Sequence, residues 1–106
     1  MPKYLCEASY TSEGMKGVLK EGGTSRRTMV EKLVTNMGGS LESFYFAFGG
    51  DDFYVTVDLP SNEAAASVAM TVAAAGATSA RTVVLLAPEE VDAATKLSPS
   101  YQPPGA

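Results

Sequence analysis

Residues 44 to 60 read FYFAFGGDDFYVTVDLP, and this stretch limits the fold more than any other. Phe53, Val55, Val57 and Leu59 alternate with Tyr54, Thr56 and Asp58. That period of two predicts a strand with two unlike faces. Leu41 to Phe48 reads as a partner strand, rich in aromatic residues. Gly49, Gly50, Asp51 and Asp52 lie between them, residue types that accept the dihedrals of a tight turn. Pro60 then stops the second of these strands.

The flanking segments complete the plan. Lys3 to Tyr10 also alternates, with Tyr4, Cys6, Ala8 and Tyr10 on one face, and predicts a first strand. Residues 11 to 23 carry Gly14, Gly17, Gly22 and Gly23, which leaves room for only a short helical turn near Met15 to Lys20. In TSRRTMVEKLVTNMGG, Met29, Val30, Leu33, Val34 and Met37 share one helical face. Thr24 or Ser25 can cap its start, and Gly38 or Gly39 its end. Ser61 caps a second helix over Asn62 to Ala75, and Gly76 ends it. Residues 78 to 87 form the fourth strand, whose VVLLA run is apolar on both faces and predicts cover on both sides. Pro88, Glu89 and Glu90 suit the first turn of a last helix that ends near Leu97.

The order is β-α-β-β-α-β with an extra C-terminal helix. It predicts an α+β, ferredoxin-like domain, an antiparallel sheet with both helices on one face. The domain occupies residues 1–97, and the Pro-rich residues 98–106 form a flexible tail.

Composition removes several functions. Eight basic residues against twelve acidic ones give a net charge of −4, which disfavours nucleic-acid binding. Five of the basic residues nevertheless cluster between Lys16 and Lys32. There is no histidine, so the usual general base, the commonest metal ligand and the usual haem ligand are missing. No metal or cofactor is expected. Cys6 is the single cysteine and can form no internal disulfide, which fits a reducing cytoplasm. The N-terminus lacks the apolar run of a signal peptide, and the longest uncharged stretch, Ala64 to Ala80, is short for a membrane span. A cytoplasmic chain without a membrane partner is the expectation.

Two helices leave one sheet face open. A large apolar patch in water is unusual for a monomer, so a second copy packed on that face is the expected cover. The alternative is the terminal helix folded over it. The helix at 62–75 poses a related question, because Ala66, Met70, Ala73 and Ala74 put no charge on its outer face. Either alanine is tolerated there as a good helix former, or the face meets another subunit.

The segments PKYLCEASYTSEGMKGVLKEGGTSRRTMVEKL, GGSLESFYFAFGGDDFYVTVDLP and ARTVVLLAPEEVDAA, in that order, resemble the GYD domain family. The resemblance implies a dimeric α/β barrel relative of the ferredoxin-like plan. It implies no activity. Asp52 matches the family's aspartate, and Asp51 stands where its tyrosine is expected.

Candidate chemistry is sparse. Asp51 and Asp52 fit turn formation better than catalysis, and two carboxylates are too few oxygens for Mg²⁺ or Ca²⁺. GGTSRR brings a glycine-rich entrance to a helix N-terminus, where anions are favoured, and Arg26 and Arg27 add charge. It is no P-loop, because Gly23 stands where that motif needs lysine. Arg26 lies at the end of the apolar stripe and needs either a carboxylate or an anionic ligand, with Asp52, Asp58 and Glu7 as protein candidates. Tyr54, Thr56 and Asp58 could line a cleft from the sheet. Cys6, without a histidine to activate it, reads as packing. The candidate ligand-binding residues are therefore Arg26, Arg27, Asp52, Tyr54 and Asp58. The expected function is a small homo-oligomeric module that binds a small anionic or aromatic molecule. The alternative is a cofactor-independent oxygenase or isomerase, by fold analogy alone.

Overall fold

A computed structural model describes residues 1–105. Its elements in chain order are β1 (Lys3–Tyr10), α1 (Ser12–Glu21), α2 (Gly23–Asn36), β2 (Ser40–Phe46), β3 (Phe53–Asp58), α3 (Asn62–Ala75), β4 (Thr78–Leu85) and α4 (Pro88–Thr95). The strands form one sheet in the order β2-β3-β1-β4, with every neighbouring pair antiparallel. The domain is therefore α+β and ferredoxin-like, as its alternation and helix periods predict.

Register assigns the faces. Tyr4, Cys6 and Ala8 of β1 stand opposite Val57, Val55 and Phe53 of β3. Phe44 and Phe46 of β2 continue that face. Tyr4, Ala8, Val34, Phe53, Val55, Val57, Leu59 and Ala65 are buried there. The Phe53 ring stacks on Phe44 with centroids 5.5 Å apart and lies 4.9 Å from the ring of Tyr10. The hydroxyl of Tyr4 donates to Asn62 Oδ1 at 2.6 Å, which ties the start of α3 to the centre of the sheet.

Helix α1 is longer than the predicted turn. Thr11 caps it, its side chain accepting from the Gly14 N–H, and Gly22 at φ 86° separates it from α2. Gly14 lowers the local helix propensity but has a packing reason to be there. A β-carbon at Gly14 would collide with the carbonyl oxygen of Ala77. Gly39 has the same constraint at the entry to β2, against the carbonyl oxygen of Asp58. The turn between β2 and β3 is closed at its base by Ala47 N–H donating to Asp52 O at 2.8 Å.

The single chain leaves two surfaces open. The middle of strand β4 is exposed on both faces in the single chain, and its ends, Thr78 and Leu85, are partly buried. Val83 on the open face is exposed, and so is Val84 on the helix side, at 54%. Strand β4 is also an edge strand, hydrogen-bonded to β1 alone among the described strands. Nor does α4 fold over the open face. Every residue from Leu86 to Gly105 is exposed. The chain measures 57 × 33 × 23 Å with a radius of gyration of 16.9 Å. A compact chain of this length would give about 13 Å.

Candidate functional site

The end of β1, helix α1 and Arg26 of α2 line a half-open recess of about 150 Å³. Tyr10 is its floor residue from the sheet, and Glu13, Gly14, Gly17, Val18 and Glu21 line it from α1. Arg26 lines it from α2, and Ala77 from the connection between α3 and β4. Gly14 and Gly17 leave the α1 wall without bulk. The side chain of Arg26 is 32% exposed, and its Nη1 lies 4.0 Å from Glu21 Oε2. That ion pair sits at the outer limit of contact and the Tyr10 phenol accepts a hydrogen bond from the same guanidinium, whose remaining donors can serve another acceptor.

Tyr10 couples this recess to the β2–β3 turn. Its backbone N–H donates to Asp52 Oδ2 at 2.8 Å, and the Asp52 N–H donates to Ala8 O at 2.8 Å. Asp52 thus replaces the next main-chain acceptor in the β1–β3 ladder with its own carboxylate. Burial pushes the Tyr10 phenol above its ordinary pKa, a hydrogen bond from Arg26 and the charge of that guanidinium oppose the rise, and the Asp52 charge adds a smaller push upward. The phenol stays protonated at neutral pH and remains available as a donor.

Asp51 works on the other side of the same turn. It accepts from Ser9 Oγ at 3.2 Å and from Arg81 Nη2 at 2.6 Å. Arg81 Nη2 also donates to Glu7 Oε2 at 2.9 Å. Both aspartates therefore have structural partners, as turn residues would. At the opposite end of the open face Lys3 Nζ binds Glu42 Oε2 at 2.8 Å and Asp58 Oδ1 at 3.1 Å. Hydrogen bonds to those two carboxylates raise the Lys3 pKa.

The five sequence candidates do not converge. Arg26 and Asp52 meet through Tyr10. Tyr54 lies on the open face, opposite Glu7 and Tyr45 in register, and Asp58 shares that face with Lys3. Arg27 lines a separate, shallow groove of about 370 Å³ beside β2, with Glu31 and residues 41–45. The expected partners of Arg26 were Asp52, Asp58 and Glu7. The structure supplies Glu21 instead, because a full-length α1 carries that carboxylate to the start of α2. Tyr10 and Arg81 were missed. Arg81 stands directly across from Glu7 in the β1–β4 register, which the sequence does not show.

Cys6 is half-buried. Burial, then the charges of Glu7 and Asp51, push its thiol above the usual range, which makes it a poor nucleophile. Among the described residues no group of three or more His, Cys, Asp or Glu could hold a metal ion, and no helix is long and apolar enough to cross a membrane. No curated protein matches the chain. A family profile does, over residues 4–95, from the first strand to the end of α4, and the chain belongs to the GYD domain family.

Proposed function

We propose that this protein is a self-associating module that binds a small carboxylate-bearing aromatic molecule in the recess between β1, α1 and α2. One observation carries the binding reading. Arg26 lines the recess together with Tyr10, whose phenol it hydrogen-bonds, and its ion-pair partner Glu21 stands 4.0 Å away. A guanidinium so placed offers paired donors to a carboxylate, and the tyrosine offers a hydroxyl and a ring face. The volume suits a single-ring compound, since drug-sized ligands occupy cavities of about 300–1,000 Å³. Glu13 and Glu21 at the rim would disfavour multiply charged anions. Self-association is supported by the exposed middle of β4, and the single free thiol fits a reducing cytoplasm.

Thermal unfolding with and without benzoate tests the binding reading. A ligand of the native state at a hundred times its Kd adds about 2.7 kcal/mol of apparent stability. Arg26→Gln should cost less than about 1 kcal/mol without ligand, because its ion pair is long and half-exposed. The same variant should lose the rise in Tm produced by benzoate. Equal stabilisation of wild type and Arg26→Gln would place binding elsewhere.

A further inference from the structure

The C-terminal segment from Leu86 to Gly105 is exposed along its whole length, yet it carries Leu86, Val91, Leu97 and Tyr101 as large apolar groups. Leu97 is 80% exposed. A loose tail would have no reason for a built start, and this one has such a start. Pro88 occupies the first turn of α4, the Ala87 N–H donates to Glu90 Oε1 at 2.9 Å, and the Glu90 N–H returns to Ala87 O at 2.9 Å. This two-way cap fixes the direction in which the chain leaves β4, and that direction is away from its own sheet.

The surface area points the same way. The chain exposes 7243 Å² for a mass of 11.0 kDa. A compact monomer of that mass exposes about 5,600 Å². The excess of about 1,600 Å² is twice the ~800 Å² that one partner contributes to a standard interface. It falls in the range of obligate dimers, whose protomers are often incomplete alone.

We infer that the C-terminal arm, residues 86–105, is an exchanged arm: in a two-fold dimer it packs on the second copy of this chain. The inference rests on the self-association proposed above and names the segment that makes it. Strand β4, its middle exposed on both faces, is where each arm departs, so the two arms and the two β4 strands form one continuous isologous surface.

Two measurements on the full-length protein decide it. The first is sedimentation of the wild type and of the double variant Val91→Glu with Leu97→Glu. The second is photo-crosslinking with benzoylphenylalanine in place of Leu97, resolved on a denaturing gel. The expected result is a wild-type dimer, a dissociation constant raised at least tenfold in the double variant, and crosslinked product at the mass of two chains. A dimer whose crosslinks stay within one chain, or whose dissociation constant ignores both glutamates, overturns the exchanged arm and leaves self-association standing. A monomeric wild type at micromolar concentration overturns both.

Discussion

Arg81 Nη2 lies 2.6 Å from Asp51 Oδ2, so one guanidinium on β4 reaches across β1 to the β2–β3 turn. Glu7 of β1 shares the same nitrogen at 2.9 Å. Asp51 is the better shielded partner, its side chain 15% exposed, while Arg81 itself is largely in water.

Arg81→Ala should lower Tm, because Asp51 and Glu7 are left close together without their common cation. The loss should be larger at about 10 mM salt than at about 1 M, where the Debye length falls from roughly 30 to 3 Å. Equal losses at the two salt concentrations would assign Arg81 a packing role instead of an electrostatic one.

The glycines separate by what surrounds them. Gly14→Ala and Gly39→Ala each drive a methyl group into a backbone carbonyl that has no rotamer to escape through. Each should destabilise by about 1–3 kcal/mol or more. Gly17 lies in α1 with nothing within 4 Å of an added β-carbon. Gly17→Ala should stabilise by about 0.4–1 kcal/mol. Chemical denaturation of the three variants checks both the signs and the order.

Alkaline pH should weaken the fold in two steps. The folded Cys6 thiol titrates above its ordinary 9.0, chiefly through burial, and Tyr10 above its ordinary 10.0 for the same first cause. In each case the unfolded chain releases its proton at lower pH than the folded chain. Stability is therefore full below about pH 9 and falls as pH rises. Cys6→Ala should remove the part of that fall that begins near pH 9 and leave the part that begins near pH 10. An unchanged slope there, measured as Tm against pH, would mean that Cys6 is not its source.

Met70→Glu tests the outer face of α3. Met70 is 67% exposed, and Ala66, Ala73 and Ala74 beside it are exposed too. The substitution should change unfolding stability by less than ~0.5 kcal/mol, as at ordinary surface positions. Its oligomer mass then reports the interface without interference from folding. A dissociated Met70→Glu protein would place α3 in the subunit contact, and an unchanged mass would confine assembly to other surfaces.

The hairpin and its neighbours were legible because period-two alternation is a local signal. Phe53, Val55 and Val57 are buried on one face, as their spacing predicts. Helix α1 was underestimated because Gly14 answers to Ala77, more than sixty residues away, and tertiary contact overrides propensity. Arg81 was invisible for a similar reason. Its partners follow from the β1–β4 register, which no single strand's pattern contains. The choice of partner for Arg26 failed with α1, since Glu21 comes near only when that helix runs its full ten residues. Asp52, the residue that the family resemblance marks, accepts from the Tyr10 backbone N–H, a contact that no side-chain pattern predicts.

The pair Ala47–Asp52 that closes the turn also decides where the chain can be lengthened. The bonds that tie the turn to β1 come from Asp51 and Asp52, and the tip at Phe48 to Gly50 is exposed. No atom lies within 4 Å of an added β-carbon at Gly49 or Gly50. Doubling the length of such a loop costs only about 0.6 kcal/mol of closure entropy. The junction of Gly49 and Gly50 is accordingly a natural splice point, where a foreign peptide could be displayed while the aspartates below it keep their partners.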